Sequence, residues 1–380
     1  MIHAPSSDEP ASLKQVEFNT ISSSFGTLSQ RTSELHQLAR YLQKSTGFYN
    51  SSPFLKSSNL PTNDTISGLS RGLAAAHSAY GSPEARILFV VQHGERNVFD
   101  QRWLEYELLE KHSIHVIRQT FDELATSAFV EPQTRTLRIR LSDDLLSQES
   151  SIEISTVYFR AGYTPTDYPT PAHYDTRYLL ESSRAIQCPS IQLQLAGGKK
   201  VQEVLTQPGV LERFLSNTNR YGDKVYSDED LQSLRDTWME MWGLDRDQGE
   251  GLRRAREEAS TLVLKPQREG GGNNVYKEAI PAFLDSLPEG ERAAWIAMRL
   301  IATPKEVGNY LVRAGGGVEG AVKSEVISEL GIFGWALFGG GDNEVKEEEV
   351  GWLVRTKGKD QNEGGVAAGF SVLDSIVLVD

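Results

Sequence analysis

The stretch TLVLKPQREGGGNNVY, residues 261–276, contains a lysine, a glutamate and three consecutive glycines. Glycine within a regular element costs roughly 0.5–1 kcal/mol relative to alanine, so three in a row need a reason. A loop without side chains can fold its backbone N–H groups around phosphate oxygens. Lys265 adds positive charge beside it, and Glu269 offers a hard oxygen that suits Mg²⁺. Taken alone, the stretch suits a phosphate-binding loop and a plain surface loop equally well.

A second glycine-rich loop follows cationic residues in RTKGKDQNEGGVAAGF, residues 355–370. Arg355 and Lys357 lie at the end of an apolar stretch, as Lys265 does. Two cationic strand ends, each followed by a flexible loop, suit a nucleotide held between a sheet and mobile lids. Glu17, Asn19 and Glu329 are further oxygen donors on or beside predicted strands, although such residues are more often solvated.

The middle of the chain contains the elements of an α/β domain. The continuous apolar run of residues 85–92 is typical of a buried strand, and an amphipathic helix and a strand at 113–120 follow it. Strand, helix and strand in this order predict a βαβ unit. Alternating apolar residues predict a strand over Val16–Ser22. Helical patterns are predicted over residues 26–44, 70–80, 97–112, 173–186, 199–215 and 228–258.

The last third changes character, because apolar strand patterns there are separated by glycine-rich turns. These patterns cover residues 261–267, 309–315, 325–338, 348–357 and 370–379. They predict an antiparallel sheet with few helices. The expected fold class is therefore α/β in the middle and α+β at the end.

Composition limits the class of protein. The 380 residues, 39% of them hydrophobic, suit a globular chain of two or three domains. The formal net charge of −13 argues against a broad surface for nucleic acid or for an anionic membrane. No apolar run approaches the ~20 residues that span a bilayer. The single cysteine, Cys188, and the absence of a signal-peptide pattern at the start favour a reducing, cytoplasmic compartment.

Several motifs, taken together and in order, resemble the eukaryotic-type glutathione synthetase family. They are VEFNTISSSFG, ERNVFDQR, YFRAGY, QLAGGKKVQ, LKPQREGGGNN, SELGIFG and WLVRTK with GGVAAG. The resemblance runs from about Leu13 to Leu373. It implies an ATP-grasp fold with an inserted α/β substrate-binding domain and a helical segment. The implied regions are 1–83 (N-terminal part of the ATP-grasp core, truncated), 84–190 (substrate-binding domain), 191–260 (helical region) and 261–380 (C-terminal sheet with two lids).

The resemblance also implies the residues of the site. Those expected at ATP are Glu17, Lys199, Lys265, Gly270, Gly271, Gly272, Asn273, Asn274, Tyr276, Met298, Ile301, Glu329, Lys357 and Glu363. Magnesium is expected at Glu17, Asn19 and Glu269. The peptide substrate is expected at Ile21, Ser22, Ser23, Ser24, Glu95, Arg96, Asn97, Gln101, Arg160, Ala161, Gly162, Tyr163, Arg355, Val366 and Ala367. Arg355 is the expected catalytic residue.

The implied reaction joins γ-glutamylcysteine to glycine through an acyl phosphate and gives glutathione, ADP and phosphate. The implied partners are γ-glutamylcysteine, glycine, ATP with Mg²⁺, and a second copy of the chain in a homodimer. Neither nucleic acid nor a membrane is expected.

Two departures from the family pattern stand out: only 15 residues precede the Val16 segment, and Arg299 and Leu300 replace the usual Glu-Lys pair beside adenine. The alternatives are a truncated, inactive homologue that binds nucleotide or a full-length subunit, and a ligase for another amine such as β-alanine or serine.

Overall fold

The computed structural model describes most of the chain. The described residues are 1–5, 10–46, 53–54, 56–140, 151–216, 226–245, 249–269, 271–305, 307–311, 322–340, 345–361, 365–366, 369 and 371–379. None of the helices in these ranges is both long enough and apolar enough to cross a membrane.

Strands and α-helices alternate in the first half, and long strands dominate the end. The strands are β1 (Ile2–His3), β2 (Ser12–Leu13), β3 (Arg86–Val90), β4 (Val116–Gln119), β5 (Ala128–Val130), β6 (Leu137–Arg140), β7 (Ser151–Phe159), β8 (Ile186–Cys188), β9 (Met241–Gly243), β10 (Leu262–Pro266), β11 (Val275–Tyr276), β12 (Trp295–Arg299), β13 (Gly308–Leu311), β14 (Val322–Leu337), β15 (Lys346–Gly358) and β16 (Ser371–Asp374). The helices are α1 (Gly26–Thr46), α2 (Thr65–Tyr80), α3 (Val98–His112), α4 (Phe121–Ser127), α5 (Pro171–Ser182), α6 (Ile191–Ala196), α7 (Lys199–Thr206), α8 (Val210–Leu215), α9 (Asp228–Asp236), α10 (Glu250–Glu257) and α11 (Ala279–Ser286).

Two of the predicted elements are wrong. Residues 228–258 do not form one helical stretch, because β9 lies between α9 and α10 and pairs with β12. The apolar Met241 and Trp242 provide that strand within an otherwise charged sequence. Residues 16–22 alternate in polarity but form no strand. A strand needs a neighbour that completes its hydrogen bonds, and alternation predicts one where a face is buried, whereas Phe18 is 60% exposed.

The chain divides into two compact units. The first unit comprises Met1–Thr20, Ile191–Asn309 and Gly339–Glu344, and the second comprises Ile21–Ser190, Tyr310–Phe338 and Val345–Asp380. The four regions named above from the resemblance stay a prediction.

An antiparallel sheet with the order β11–β10–β12–β9 forms the centre of the first unit. Side chains alternate between the faces of a strand, so Leu262 and Leu264 point to one side and Val263 and Lys265 to the other. The first side packs against α10 and α11 through Ala255, Ile280 and Leu284. The second side carries an apolar cluster of Met239, Met241, Val263, Ile296 and Met298. Lys265 therefore shares its face with this methionine-rich cluster.

The second unit contains a mostly parallel sheet around β3. The predicted βαβ unit is confirmed, since β3 pairs in parallel with β4 after the crossover through α3. Ile87 and Phe89 pack with Leu104 and Leu108 of α3. The alternate residues of β3, Leu88 and Val90, belong to the core on the other face. Burial on both faces explains why the sequence of β3 is a continuous apolar run.

The antiparallel strands β14 and β15 lie close to helix α2 at two glycines. A Cβ atom on Gly72 would lie 2.5 Å from Cγ of Trp335, and one on Gly68 would lie 2.3 Å from Cβ of Val350. Both neighbours are atoms near the backbone, which cannot swing away. These helical glycines are thus explained by the close approach of the helix to the sheet.

We expect Gly72→Ala to destabilise the chain although alanine is the better helix former. The gain in helix propensity is about 1 kcal/mol, whereas overpacking costs about 1–3 kcal/mol. The measurement is urea unfolding, with Gly290→Ala as the control because a Cβ there meets nothing within 4 Å. A more stable Gly72→Ala variant would contradict this packing.

Candidate active site

A carboxylate and an ammonium from distant parts of the sequence meet in the first unit. Glu17 Oε2 accepts a hydrogen bond from Lys199 Nζ at 2.8 Å, and the Asn19 amide donates to Glu17 Oε1 at 3.1 Å. Lys199 is the first residue of α7 and is 8% exposed. Two residues assigned to magnesium and one assigned to ATP are therefore in contact.

The glycine pair before Lys199 lets residues 18–20 approach α7. A Cβ on Gly197 would lie 2.6 Å from Thr20 Oγ1 and 3.2 Å from the Phe18 carbonyl oxygen. A side chain there would push away the segment that carries Glu17 and Asn19. Gly197 was not among the predicted site residues, although the motif QLAGGKK contained the signal.

The charges in this cluster shift the pKa values of its two acids in opposite directions. Burial alone raises the pKa of Glu17, but Lys199, Lys265 and the Asn19 amide outweigh it and lower the pKa to about 2. The pKa of Glu269 is raised by burial and by the charge of Glu17, and Lys199 offsets part of this effect. Glu269 thus lies within electrostatic reach of Glu17, as a shared metal site requires.

The donor set fits a magnesium ion bound together with phosphate. Mg²⁺ uses one or two carboxylates and takes its other ligands from phosphates and water, and Glu17, Glu269 and the Asn19 amide provide two carboxylates and one amide oxygen. Burial is the main cause of the raised pKa of Glu269, and a bound cation would favour its ionised form. Within the described ranges no group of three or more His, Cys, Asp or Glu side chains could hold a metal ion.

Four residues assigned to the nucleotide lie on or beside the second face of the β10–β12 sheet. In the antiparallel register Val263 is opposite Met298 and Lys265 is opposite Ile296. Tyr276 and Ile301 pack against the same cluster. Lys265 is 8% exposed and lies on this face next to the end of β10. Such a surface suits a purine base, with the cation towards the phosphates.

The glycine-rich segment forms the loop of a hairpin. β10 and β11 pair in antiparallel fashion, with Leu264 opposite Val275. Gly271 and Gly272 have positive φ angles of 28° and 78°, which L side chains rarely adopt. The Asn273 amide donates to the Gly271 carbonyl oxygen at 2.9 Å. Asn274 Nδ2 donates to the Tyr276 hydroxyl at 3.2 Å. The exposed loop is therefore shaped by its glycines.

Of the two departures at the adenine side, Leu300 packs against the methionine-rich cluster, and Arg299 lies on the other face of β12. Arg299 alternates with Met298 and donates from Nε to Glu240 at 3.0 Å and from Nη1 to the Thr261 hydroxyl at 2.8 Å. It also lies 2.9 Å from Glu258. Arg299 is thus engaged in a salt-bridge network away from the face of Met298.

In the second unit, one carboxylate lies between two cations of the β14–β15 pair. Glu329 and Arg355 are register partners, and Arg355 Nη2 donates to Glu329 Oε2 at 2.7 Å. Lys357 Nζ lies 3.7 Å from the other oxygen of Glu329. Arg355 and Lys357 are two residues apart on one strand, so both side chains lie on the same face. The structure brings these three predicted residues together.

Buried Arg160 links the first group of predicted peptide residues. Its Nη1 donates to the Ser23 carbonyl oxygen and its Nη2 to Ser24 Oγ, both at 2.6 Å. Arg160 is 4% exposed, and its Nε has no hydrogen-bond partner in the described part of the chain. Burial lowers the pKa of this guanidinium, but Tyr158, Asp100 and Glu95 raise it overall. Arg160 therefore stays charged beside residues 21–24.

The second group of peptide residues is organised by the Glu95 carboxylate. It accepts from the Asn97 backbone N–H at 2.7 Å and from Gln101 Nε2 at 2.8 Å. Ala161 is buried and Gly162 has a φ of 89°. Most of the predicted peptide residues of this unit are thus in contact with one another. Ile21 belongs to the hydrophobic core of the unit.

Two acidic residues in this unit were not predicted. Asp167 Oδ2 accepts backbone hydrogen bonds from Gly162, Tyr163 and Thr164 at 3.0–3.1 Å. Its signal was present, because Thr164 and Asp167 have the spacing of a capping box. Asp100, next to Gln101, is the other. Its partners lie 72–75 residues away, so no local pattern pointed to it.

For four predicted site residues the structure describes one backbone contact or nothing. Val366 accepts a hydrogen bond from the Gly369 N–H at 3.0 Å in a turn. Gly270, Glu363 and Ala367 lie outside the described residues.

A mixed α/β chain with a buried lysine at a strand end, a glycine-rich hairpin and paired carboxylates is typical of ATP-binding proteins. The family model of the eukaryotic glutathione synthase ATP-binding domain matches residues 1–378. The chain belongs to this family, as its motifs predicted.

Curated relatives agree with the family assignment. The chain is 41% identical over 370 residues to the chloroplastic glutathione synthetase of Solanum lycopersicum, which covers 97% of this chain and 61% of that protein. It is 39% identical to the glutathione synthetase of Xenopus laevis, with 98% and 72% covered, and 39% identical to that of Homo sapiens, with 97% and 71% covered. The chain thus spans about three fifths of the plant relative's length.

A solved structure supports the fold. A glutathione synthetase-like effector from Globodera pallida, in its apo form, matches with a TM-score of 0.71 and 22% identity, covering 100% of this chain and 74% of that one. At this identity the likeness shows the fold alone. The predicted fold class is confirmed.

Proposed function

We propose that the chain catalyses the ATP-dependent ligation of γ-glutamylcysteine and glycine to glutathione. The observation that carries the proposal is the cluster of Glu17, Lys199, Lys265 and Glu269, in a chain that belongs to the glutathione synthase family along nearly its whole length. Such a cluster can accept a divalent cation and polyphosphate on one surface. Mg²⁺ is the proposed ion, and a cytoplasmic homodimer is the proposed form.

In the first step, the substrate carboxylate attacks the γ-phosphorus of ATP, the bond to the bridging oxygen breaks, and ADP leaves. Attack by one anion on another requires positive charge nearby. Lys199 and Lys265 provide it from this chain. When bound, Mg²⁺ supplies further charge neutralisation and orients the phosphate oxygens. The product is an acyl phosphate of the peptide.

In the second step, the glycine nitrogen attacks the acyl carbon, the carbon–oxygen bond to phosphate breaks, and the ammonium formed loses a proton to water. Arg355 stabilises the negative charge on the carbonyl and tetrahedral oxygens. An acyl phosphate hydrolyses if water reaches it, so the loop of residues 271–274 and the turn at Val366 are proposed to close as lids. No side-chain nucleophile is needed.

The proposed cytoplasmic location agrees with the environment of Cys188. This residue is a free cysteine, and burial raises the pKa of its thiol to about 11. This half-buried thiol stays protonated at neutral pH, and a thiol is much less reactive than a thiolate. A free cysteine of this kind is compatible with a reducing compartment such as the cytoplasm.

The reaction is tested by phosphate release from the purified 380-residue chain. We expect release only when γ-glutamylcysteine, glycine and Mg-ATP are all present, because the second step must discharge the acyl phosphate. Omission of each component in turn is the control, and replacement of glycine by β-alanine or serine tests amine choice. Release that ignores the amine would reject the proposal, and Mg-ATP binding without turnover would favour an inactive homologue.

A further inference from the structure

Helix α1 begins at a residue that cannot cap it by itself. Its N-cap position is Phe25, which has a positive φ of 69° and no polar side chain. The first turn of α1 contains no acidic residue. The first N–H groups of a helix have no partner within the helix and carry partial positive charge. They therefore need an acceptor from elsewhere in the chain.

Asp100 provides that acceptor from the first turn of α3. Its Oδ2 accepts from the Phe25 N–H at 2.8 Å, and its Oδ1 accepts from the Leu28 N–H at 3.2 Å. The Thr27 hydroxyl donates to the Asp100 carbonyl oxygen at 2.8 Å. Asp100 is 5% exposed. Its carboxylate thus replaces the cap that the local sequence does not provide.

The same carboxylate lies between two segments assigned to the peptide substrate. Residues 21–24 end directly before the N–H groups that Asp100 binds. Asn97 and Gln101 flank Asp100 in its own segment, and Asn97 Nδ2 lies 3.5 Å from Asp100 Oδ2. Arg160 holds Ser23 and Ser24 from the other side. The positions of the two segments relative to each other therefore depend on Asp100.

The turn that Asp100 holds is strained. Ser22 has a φ of 52°, so two non-glycine residues within four positions adopt the left-handed region. Such conformations cost of order 1–3 kcal/mol each and persist only where surrounding contacts determine them. The contacts of Ser22 Oγ with the Phe159 carbonyl oxygen and of Ser24 Oγ with the Ser22 carbonyl oxygen are two of these. Asp100 holds the turn at its helical end.

We propose that Asp100 is a positioning residue for the peptide substrate, which it serves by capping α1 and fixing residues 21–24 against residues 95–101. This inference rests on the proposed function. Asp100 itself touches no reacting atom. Its loss should therefore weaken peptide binding while it leaves nucleotide binding and the chemical step nearly unchanged.

The test compares Asp100→Ala and Asp100→Asn with the wild-type chain. We expect KM for γ-glutamylcysteine to rise about tenfold in Asp100→Ala, with kcat changed less than about threefold, as for a loss of uniform binding. KM for ATP should change less than about twofold. Asn retains one acceptor, so Asp100→Asn should restore part of the affinity. Hydrogen exchange of residues 21–30 should speed up in both variants.

The matched control is Ser227→Ala, which removes another helix cap. Ser227 Oγ accepts from the Asp230 N–H at 3.1 Å at the start of α9, where no ligand residue is assigned. The Ser227→Ala variant should have a lower free energy of unfolding and an unchanged KM for γ-glutamylcysteine. An equal rise of KM in this control, or an unchanged KM for γ-glutamylcysteine in Asp100→Ala, would overturn the inference alone. A wild-type chain that ignores γ-glutamylcysteine would overturn the proposed function and this inference with it.

Discussion

Glu17→Gln is expected to lower the ligation rate by about 10²–10³-fold, the size of effect seen when one preorganised electrostatic group is removed. The Glu17 carboxylate has a pKa of about 2 and so stays fully ionised against Lys199 and Lys265. Glutamine keeps the shape of the side chain but neither balances these cations nor binds a divalent ion well. The Mg²⁺ concentration for half-maximal rate should therefore rise by at least about tenfold, since one of two carboxylates is lost.

The measurement is the steady-state rate as a function of Mg²⁺ at saturating ATP. Glu291→Gln is the control, because Glu291 is exposed and has no assigned role in the site. It should behave like the wild type at every Mg²⁺ concentration. If the Mg²⁺ dependence of Glu17→Gln coincides with that of the wild type, Glu17 is not a metal ligand.

Arg355→Ala should reduce kcat by about 10²–10³-fold, the size of effect seen when one donor to a developing oxyanion is removed. Arg355 is held by Glu329 at 2.7 Å, and this contact orients the guanidinium before substrate binds. Arg355→Lys keeps the charge but loses the planar fork, so it should recover only part of the rate. KM for ATP should change far less than kcat.

A neighbouring ion pair provides the control for Arg355. Lys359, directly after β15, has its Nζ 2.5 Å from Glu325 of β14, and both side chains are exposed. Exposed pairs of this kind contribute little, about 0–1 kcal/mol. Lys359→Ala should therefore keep its rate within about twofold of the wild type, the range of a surface substitution. An Arg355→Ala variant with the same small change would remove Arg355 from the catalytic residues.

The sequence was sufficient for much of the fold. The apolar run of β3 predicted a strand buried on both faces, and the order of strand, helix and strand predicted its parallel pairing with β4. The residue patterns of the last third predicted one antiparallel sheet; β14 and β15 do pair in this way, but the predicted strand of residues 261–267 belongs to a separate sheet as β10. These features depend on residue periodicity, which is local. Where the pattern was ambiguous, as in residues 16–22, the prediction of a strand was wrong.

The site was predictable to the extent that single residue types carry chemistry. Lysine at a strand end, glutamate and consecutive glycines pointed to phosphate and metal before any partner was known. The close approaches at Gly68 and Gly72 could not be predicted, because they depend on which side chain lies opposite, whereas the glycine pair of QLAGGKK was a signal for Gly197. Asp100 was missed because the N–H groups that it binds lie 72 and 75 positions away, whereas the capping-box spacing of Thr164 and Asp167 could have pointed to Asp167.

By itself, the sequence determined the types of elements, their order, and the residues able to bind an anion or a cation. Only the tertiary structure decided that Glu17 would meet Lys199, 182 positions away, and that Asp100 would cap a helix whose N-terminus lies 75 positions earlier. The reason is physical: residue type sets the charge and the local backbone preference. The pKa and the hydrogen-bond partner depend on burial, which only the packing of distant segments creates.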